Sequence, residues 1–210
     1  MEAQARQRRS QQERSAAARR RLCEATIEAL ARHGYRGTTT QRVAELAELS
    51  RGAMQHHYAS RVDLVADAAE HLLNGALART IEAARRLQPG SADPFRILVG
   101  ELWQRLASDW RYDASLELFV ALRSDAELRA RVQPMMGRLA DALAEGIGGL
   151  FRARRPGDDP ELLVRMTFTL LRGLALEAPV QRDPAVLRRM LDQWADLLGD
   201  RLRLAGEAEV

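Results

Sequence analysis

The chain has 210 residues, 32 of them basic and 29 acidic, with four His, one Cys and 46% hydrophobic residues. A chain of this length buries about 70% of its unfolded surface and needs no disulfide or metal to fold. The single Cys23 excludes a disulfide framework and a thiolate zinc cluster, and no metal or cofactor is expected. The N-terminus is charged without the apolar stretch of a secretory signal. No apolar run approaches the roughly 18 residues of a membrane span, so a soluble cytoplasmic protein is expected.

All 32 basic residues are Arg. The absence of Lys removes a P-loop Lys, a Schiff-base Lys and a kinase Lys from consideration. Residues 1–61 hold 12 Arg and 6 acids, net +6, whereas residues 62–210 hold 20 Arg and 23 acids, net −3. A basic first third on a mildly acidic remainder points to a polyanion at one end.

Residues 1–14 are polar and basic and read as a disordered arm. A helix is expected over 15–32, with Leu22, Ile27 and Leu30 near one face and Gly34 as its C′ glycine. Thr39 or Thr40 can cap a short helix ending at Ala47, and Ser50 can cap a second over 51–58. Ser60 can cap a long helix over 61–87. Further helices are expected near 93–110, 113–124, 125–154, 160–178 and 184–204. Three of these open on Asp-Pro, at Asp93-Pro94, Asp159-Pro160 and Asp183-Pro184. No alternating stretch is long enough for a strand, and the class is all-α with about nine helices.

Two short capped helices after a longer amphipathic one have the form of a helix-turn-helix unit. Val43, Leu46, Leu49 and Met54 would pack the pair, leaving Arg51, Ala53, Gln55 and His56 outward, small or hydrogen-bonding groups suited to a major groove. An ordinary helical hairpin has the same pattern. Adjacent His56 and His57 point about 100° apart on a helix and cannot easily share a metal ion.

The segment from Thr38 to Val65 resembles the DNA-binding domain of the tetracycline-repressor (TetR) family of bacterial regulators. Thr40, Val43-Ala44, Ala47, Ser50, Gly52, Met54, His57, Tyr58, Ser60, Arg61 and Leu64 carry the match, which covers about 50 residues. Three residues depart from the family: Glu48 for the turn Gly, Gln55 for Tyr, and Arg61 for Lys. With φ > 0 excluded to most side chains, Glu48 implies either a turn of another shape or a modest strain.

The resemblance implies roles. Thr40 and Ser50 would be helix caps near phosphates, and Gly52 would let the recognition helix approach DNA. Arg51, Gln55 and His56 would read bases or phosphates. Tyr58 would pack beneath the helix with its hydroxyl outward, and Arg61 would pair with a phosphate. Thr39 and Ala53 complete the candidate DNA-binding set. Arg6, Arg8 and Arg9 would lie in a minor groove, or simply be a solvated tail. The resemblance divides the chain into a helix-turn-helix domain over 15–61 and an effector-binding and dimerisation domain over 62–210.

That second part carries no catalytic signature, and the chain is not expected to be an enzyme. Gly146-Ile147-Gly148-Gly149 reads as close helix packing rather than a nucleotide loop. Residues 162–176 are apolar nearly all round and must be covered on several sides. The resemblance makes this helix and the last one the dimer interface, with Leu170, Leu174, Leu187, Met190, Leu191, Trp194 and Leu198 as candidates. Trp103, Trp110, Phe119, Met135, Met136, Met166 and Phe168 are candidates for a mostly apolar effector pocket, and plain core is the rival reading of each. Arg172, beside Thr169, would either anchor an anionic effector or pair internally with Glu101, Glu117 or Glu177. The implied function is a homodimeric ligand-responsive regulator, a repressor on a palindromic operator. The rivals are a sequence-indifferent DNA binder and a helical binding protein or enzyme with no DNA role.

Overall fold

The computed structural model describes residues 2–87, 91–147 and 149–207, with side chains from residue 11 on. Among the described residues there are nine α-helices, one 3₁₀ turn and one small sheet, so the all-α class holds. The helices are α1 (Glu2–Gly37), α2 (Thr40–Leu46), α3 (Arg51–His57), α4 (Arg61–Arg85), α5 (Pro94–Ser108), α6 (Arg111–Ser124), α7 (Ala126–Ile147), α8 (Pro160–Glu177) and α9 (Pro184–Arg201).

The helix boundaries follow the capping chemistry. Asp93, Asp159 and Asp183 each accept from a backbone N–H of the helix they precede, with Pro in the first turn. Gly34 breaks α1 with φ +67°, the left-handed backbone that glycine adopts without steric cost. A Cβ there would also lie 2.9 Å from Glu117 Oε2.

Three expectations are corrected. Helix α1 runs back to Glu2 through the stretch read as a disordered arm, because its Ala, Gln, Glu and Arg residues favour helix and nothing breaks it before Gly34. The side chains of Arg6, Arg8 and Arg9 lie outside the described residues. Helix α7 ends at Ile147 and α9 at Arg201, where two three-residue strands take over. β1 (Phe151–Ala153) and β2 (Leu202–Leu204) pair antiparallel, with Phe151 opposite Leu204. Phe151, Leu202 and Leu204 point inward while Arg152 and Arg203 do not, a period of two too short to read in sequence.

The chain forms two compact units. The first comprises Met1–Leu73 and Trp110–Met135, the second Asn74–Asp109 and Met136–Val210. In the first, Leu22, Ala25, Val43, Met54, Tyr58 and Leu64 bury one core, and Ile27, Leu30, Ala68, Leu72 and Ala114 a second. In the second, Phe95, Val99, Leu171, Leu174, Leu198 and Leu202 centre a larger core. Arg96 staples α5 to α9 there, 2.5 Å from each of Asp93, Asp192 and Asp196. Gly146 admits Ile81 so closely that a Cβ would collide with its Cδ1, as the helix-packing reading requires.

Candidate nucleic-acid interface

Helices α2 and α3 are seven residues each and too short to persist alone. Their shared core holds them: Val43, Ala44, Ala47 and Met54 are buried, with Leu46 and Leu49 packed alongside. Thr39, not Thr40, caps α2 by accepting from Arg42 N at 3.2 Å. Ser50 caps α3 through Ala53 N at 3.1 Å. Between them Glu48 takes φ +51°, a left-handed conformation that strains a residue with a Cβ. Its carboxylate meets Arg21 at 3.1 Å, an exposed contact of little energetic weight.

The outer face of α3 presents Arg51, Gly52, Gln55 and His56, all exposed, with Ala53 half-buried beside them. A Cβ on Gly52 would meet only Ser50 Oγ at 4.0 Å, so no contact within the chain requires glycine there. Arg51 donates to Gln41 Oε1 at 2.7 Å, and Gln41 donates to Glu45 Oε1 at 3.0 Å. Gln41 is thus an exposed member of the same face that α3 alone does not reveal; its signal is its outward position in the first turn of α2.

Two expected DNA contacts turn inward. Tyr58 is only 7% exposed, and its hydroxyl donates to Asp67 rather than reaching out. Asp67 also accepts from Arg19 at 2.9 Å and lies 3.5 Å from Cys23 Sγ. Burial pushes the Asp67 carboxyl up, but the bonds from Tyr58 and Arg19 outweigh it, and its pKa falls below the ordinary aspartate value. Burial raises the Tyr58 hydroxyl, the bond to Asp67 raises it further, and burial pushes the Cys23 thiol up to about 11. The second inward group is Arg61. Its Nε donates to Thr38 O at 2.7 Å, a second nitrogen donates to Tyr35 O, and its guanidinium stacks 4.0 Å from the Tyr35 ring centre. Tyr35 in turn donates to Asp125 at 2.5 Å, and burial followed by that bond pushes its pKa up to about 12. Arg61 therefore clasps the turn before α2, because buried carbonyls at a helix end demand donors.

The candidate pocket residues fall in both units. Trp110, Phe119 and Met135 belong to the first unit, and Trp103, Met136, Met166, Phe168, Thr169 and Arg172 to the second. Only Phe168 lines the second unit's internal cavity. Met166 and Thr169 are exposed, and Trp103 packs partly buried against the core. The interface candidates divide likewise: Leu174, Leu187, Leu191 and Leu198 are buried within the unit, so they are core. Leu170, Met190 and Trp194 line an open groove of about 380 Å³ along α8 and α9, with Val186, Arg189, Gln193 and Leu197. Exposed apolar residues on these two helices and just beyond α8 include Leu162, Met166, Leu176 and Val180, and Met190 and Leu197 on α9.

A family model for bacterial regulatory proteins of the tetR family matches residues 22–68, the span of α1 to α4 that forms this face. The transcriptional regulator CymR of Pseudomonas putida is 26% identical over 195 residues, 92% of this chain and 95% of that protein. The transcriptional repressor AcnR of Corynebacterium diphtheriae is 30% identical over 179 residues, 83% of this chain and 87% of that one. A solved structure of a tetR-family regulator from Mesorhizobium loti has the same fold, with a TM-score of 0.69, 18% identity, and coverage of 90% of this chain and 98% of that one. No described helix is long and apolar enough to cross a membrane. Similarity that runs from the helix-turn-helix through both units places this chain in the tetR family of bacterial regulatory proteins, as a DNA-binding regulator of transcription.

Proposed function

We propose that this protein is a homodimeric repressor that holds a palindromic operator and releases it when a small molecule enters the second unit. The observation that carries the DNA half is the outward face of α3, where Arg51, Gly52, Gln55 and His56 stand exposed on a fully packed helix pair. Such a helix fits a major groove, with Arg and Gln able to make bidentate contacts to base edges. The DNA-binding part is residues 15–61, and residues 62–210 serve effector and dimer.

The dimer half rests on the apolar stripe of α8 and α9. Leu162, Met166, Gly173 and Leu176 recur at helical spacing, and Val180 just beyond is 78% exposed. A contiguous exposed apolar surface of this kind marks an association site. Two copies related by a twofold axis would set two α3 helices on half-sites about one helical turn, roughly 34 Å, or a multiple apart.

The test is selection of genomic fragments by the purified protein, followed by footprinting. An inverted repeat protected by a dimer is the expected result. A monomer footprint on an asymmetric site would overturn the dimer, and binding indifferent to competitor DNA would overturn the operator.

A further inference from the structure

We propose that Gln41 is a positioning residue for sequence reading: it aims the Arg51 guanidinium at one guanine in each half-site, and Glu45 fixes Gln41 in turn. This rests on α3 being the helix that enters the groove, as proposed above. Arg51 Nη2 donates to Gln41 Oε1 at 2.7 Å, and Gln41 Nε2 donates to Glu45 Oε1 at 3.0 Å. All three side chains are exposed, and they link the first residue of α3 to the outer face of α2.

The direction of this relay is set by chemistry. A carboxylate only accepts and a guanidinium only donates. The amide between them therefore fits in one orientation, its NH₂ on Glu45 and its oxygen on Arg51. Turned over, it would set donor against donor and acceptor against acceptor. Each bond has one ionised partner, which strengthens it, and docking on DNA removes water from this face and strengthens both further. The backbone at each end is fixed. Ser50 caps α3 just before Arg51, and Val43 and Ala44, between Gln41 and Glu45, are buried in the core.

An untethered Arg side chain loses much rotamer freedom when it is ordered on a base. Gln41 takes up part of that loss before DNA arrives. Its bond engages one guanidinium N–H and leaves others to meet guanine O6 and N7 together. A phosphate accepts a cation from many directions and gains little from such aiming, whereas a base edge accepts in one plane. Glu45 points the same way. A carboxylate on this face repels phosphates and weakens binding to all DNA alike, a cost that selectivity offsets.

The experiment presents a library of randomised DNA duplexes to the full-length protein and its variants. The selected sequences give the base preference at each position, and thermal melting monitors the fold. Arg51→Ala is expected to erase a guanine preference at one symmetric position of the inverted repeat, worth about 10-fold in affinity. Gln41→Ala should blunt the preference at that same position, and at no other, by about 3-fold, and should have no further effect once Arg51 is Ala. Gln41→Met keeps the side chain's length without its amide and should act alike, which serves if the Ala variant does not fold. Glu45→Ala should blunt the same position while binding to unrelated DNA tightens. A Gln41→Ala profile altered at a different position, additive with Arg51→Ala, or weakened for all sequences alike would overturn the assignment, because Gln41 would then touch a base or phosphate itself. A parent protein with no base preference overturns the operator reading and this relay with it. A parent that selects an inverted repeat indifferent to Gln41 overturns the relay alone.

Discussion

The Tyr58 hydroxyl donates to the Asp67 carboxylate, so the residue that ends the recognition helix is tied to the second turn of α4. Arg19 reaches the same carboxylate oxygen from α1 and lies 5.6 Å over the Tyr58 ring. Cys23 closes the cluster, 3.6 Å from the Tyr58 hydroxyl. Three helices thus share one charged acceptor, and the orientation of α3 depends on a group that α4 carries.

Tyr58→Phe keeps the ring and removes the donor. The expected loss is about 1–3 kcal/mol of stability, because Asp67 keeps its charge and loses a strong bond. Asp67→Asn adds a pH signature. The folded carboxyl titrates below its ordinary value, so its contribution is present above that value, near pH 4, and is lost as pH falls through the folded pKa. Thermal melts of the two proteins should therefore differ most at neutral pH and converge in acid. A gap that stays constant from neutral pH down to pH 3 would refute this role for the charge.

Glu48→Gly should stabilise the first unit. The position needs φ +51°, where a Cβ costs about 1–2 kcal/mol, and the ion pair with Arg21 that it gives up is exposed. Greater freedom of glycine in the unfolded chain takes back part of the gain, leaving about 1 kcal/mol. An unchanged or lowered melting midpoint would contradict it.

Gly52→Ala separates folding from binding. A methyl group there meets open space inside the chain, and alanine favours helix over glycine by about 1 kcal/mol. The variant should melt no lower than the parent and yet bind the operator more weakly, since the methyl stands where DNA must approach. Gln55→Ala should cost about 1–3 kcal/mol on the best operator and relax one symmetric base position. Equal operator affinity for Gly52→Ala and its parent would remove α3 from the groove.

Met190→Glu and Leu198→Ala distinguish surface from core on one helix. Met190 is 44% exposed and Leu198 only 3%. A charge at Met190 should dissociate the dimer while each protomer stays folded. Truncating Leu198 should cost about 2–5 kcal/mol of protomer stability through the cavity it leaves. Sedimentation and melting read the two effects, and a dimer that survives Met190→Glu would move the interface elsewhere.

Arg61→Ala should destabilise the turn before α2 by about 2 kcal/mol, because two carbonyls lose a charged donor and Tyr35 loses its stacking partner. A phosphate contact alone would instead leave the melt unchanged and reduce the salt dependence of operator binding.

The all-helical class, the helix-turn-helix and nearly every helix start were legible from the residues themselves. Those features are local: an Asp or Ser cap, a Pro in the first turn and a Gly at φ +67° act within four residues of where they stand. The outward set Arg51, Gln55 and His56 followed from periodicity for the same reason. What the residues could not decide was direction wherever a long side chain has partners far along the chain. Tyr58 and Arg61 look like DNA contacts in their own segment, and it took Asp67, Tyr35 and Thr38 to turn them inward. The α9 candidates Leu187, Met190, Leu191 and Leu198 stood together as one dimer face, yet Leu187, Leu191 and Leu198 join the core formed with α5 and α8 while Met190 stays exposed. A helix apolar on both sides has no sequence mark for which side its own unit covers, and only tertiary packing assigns it.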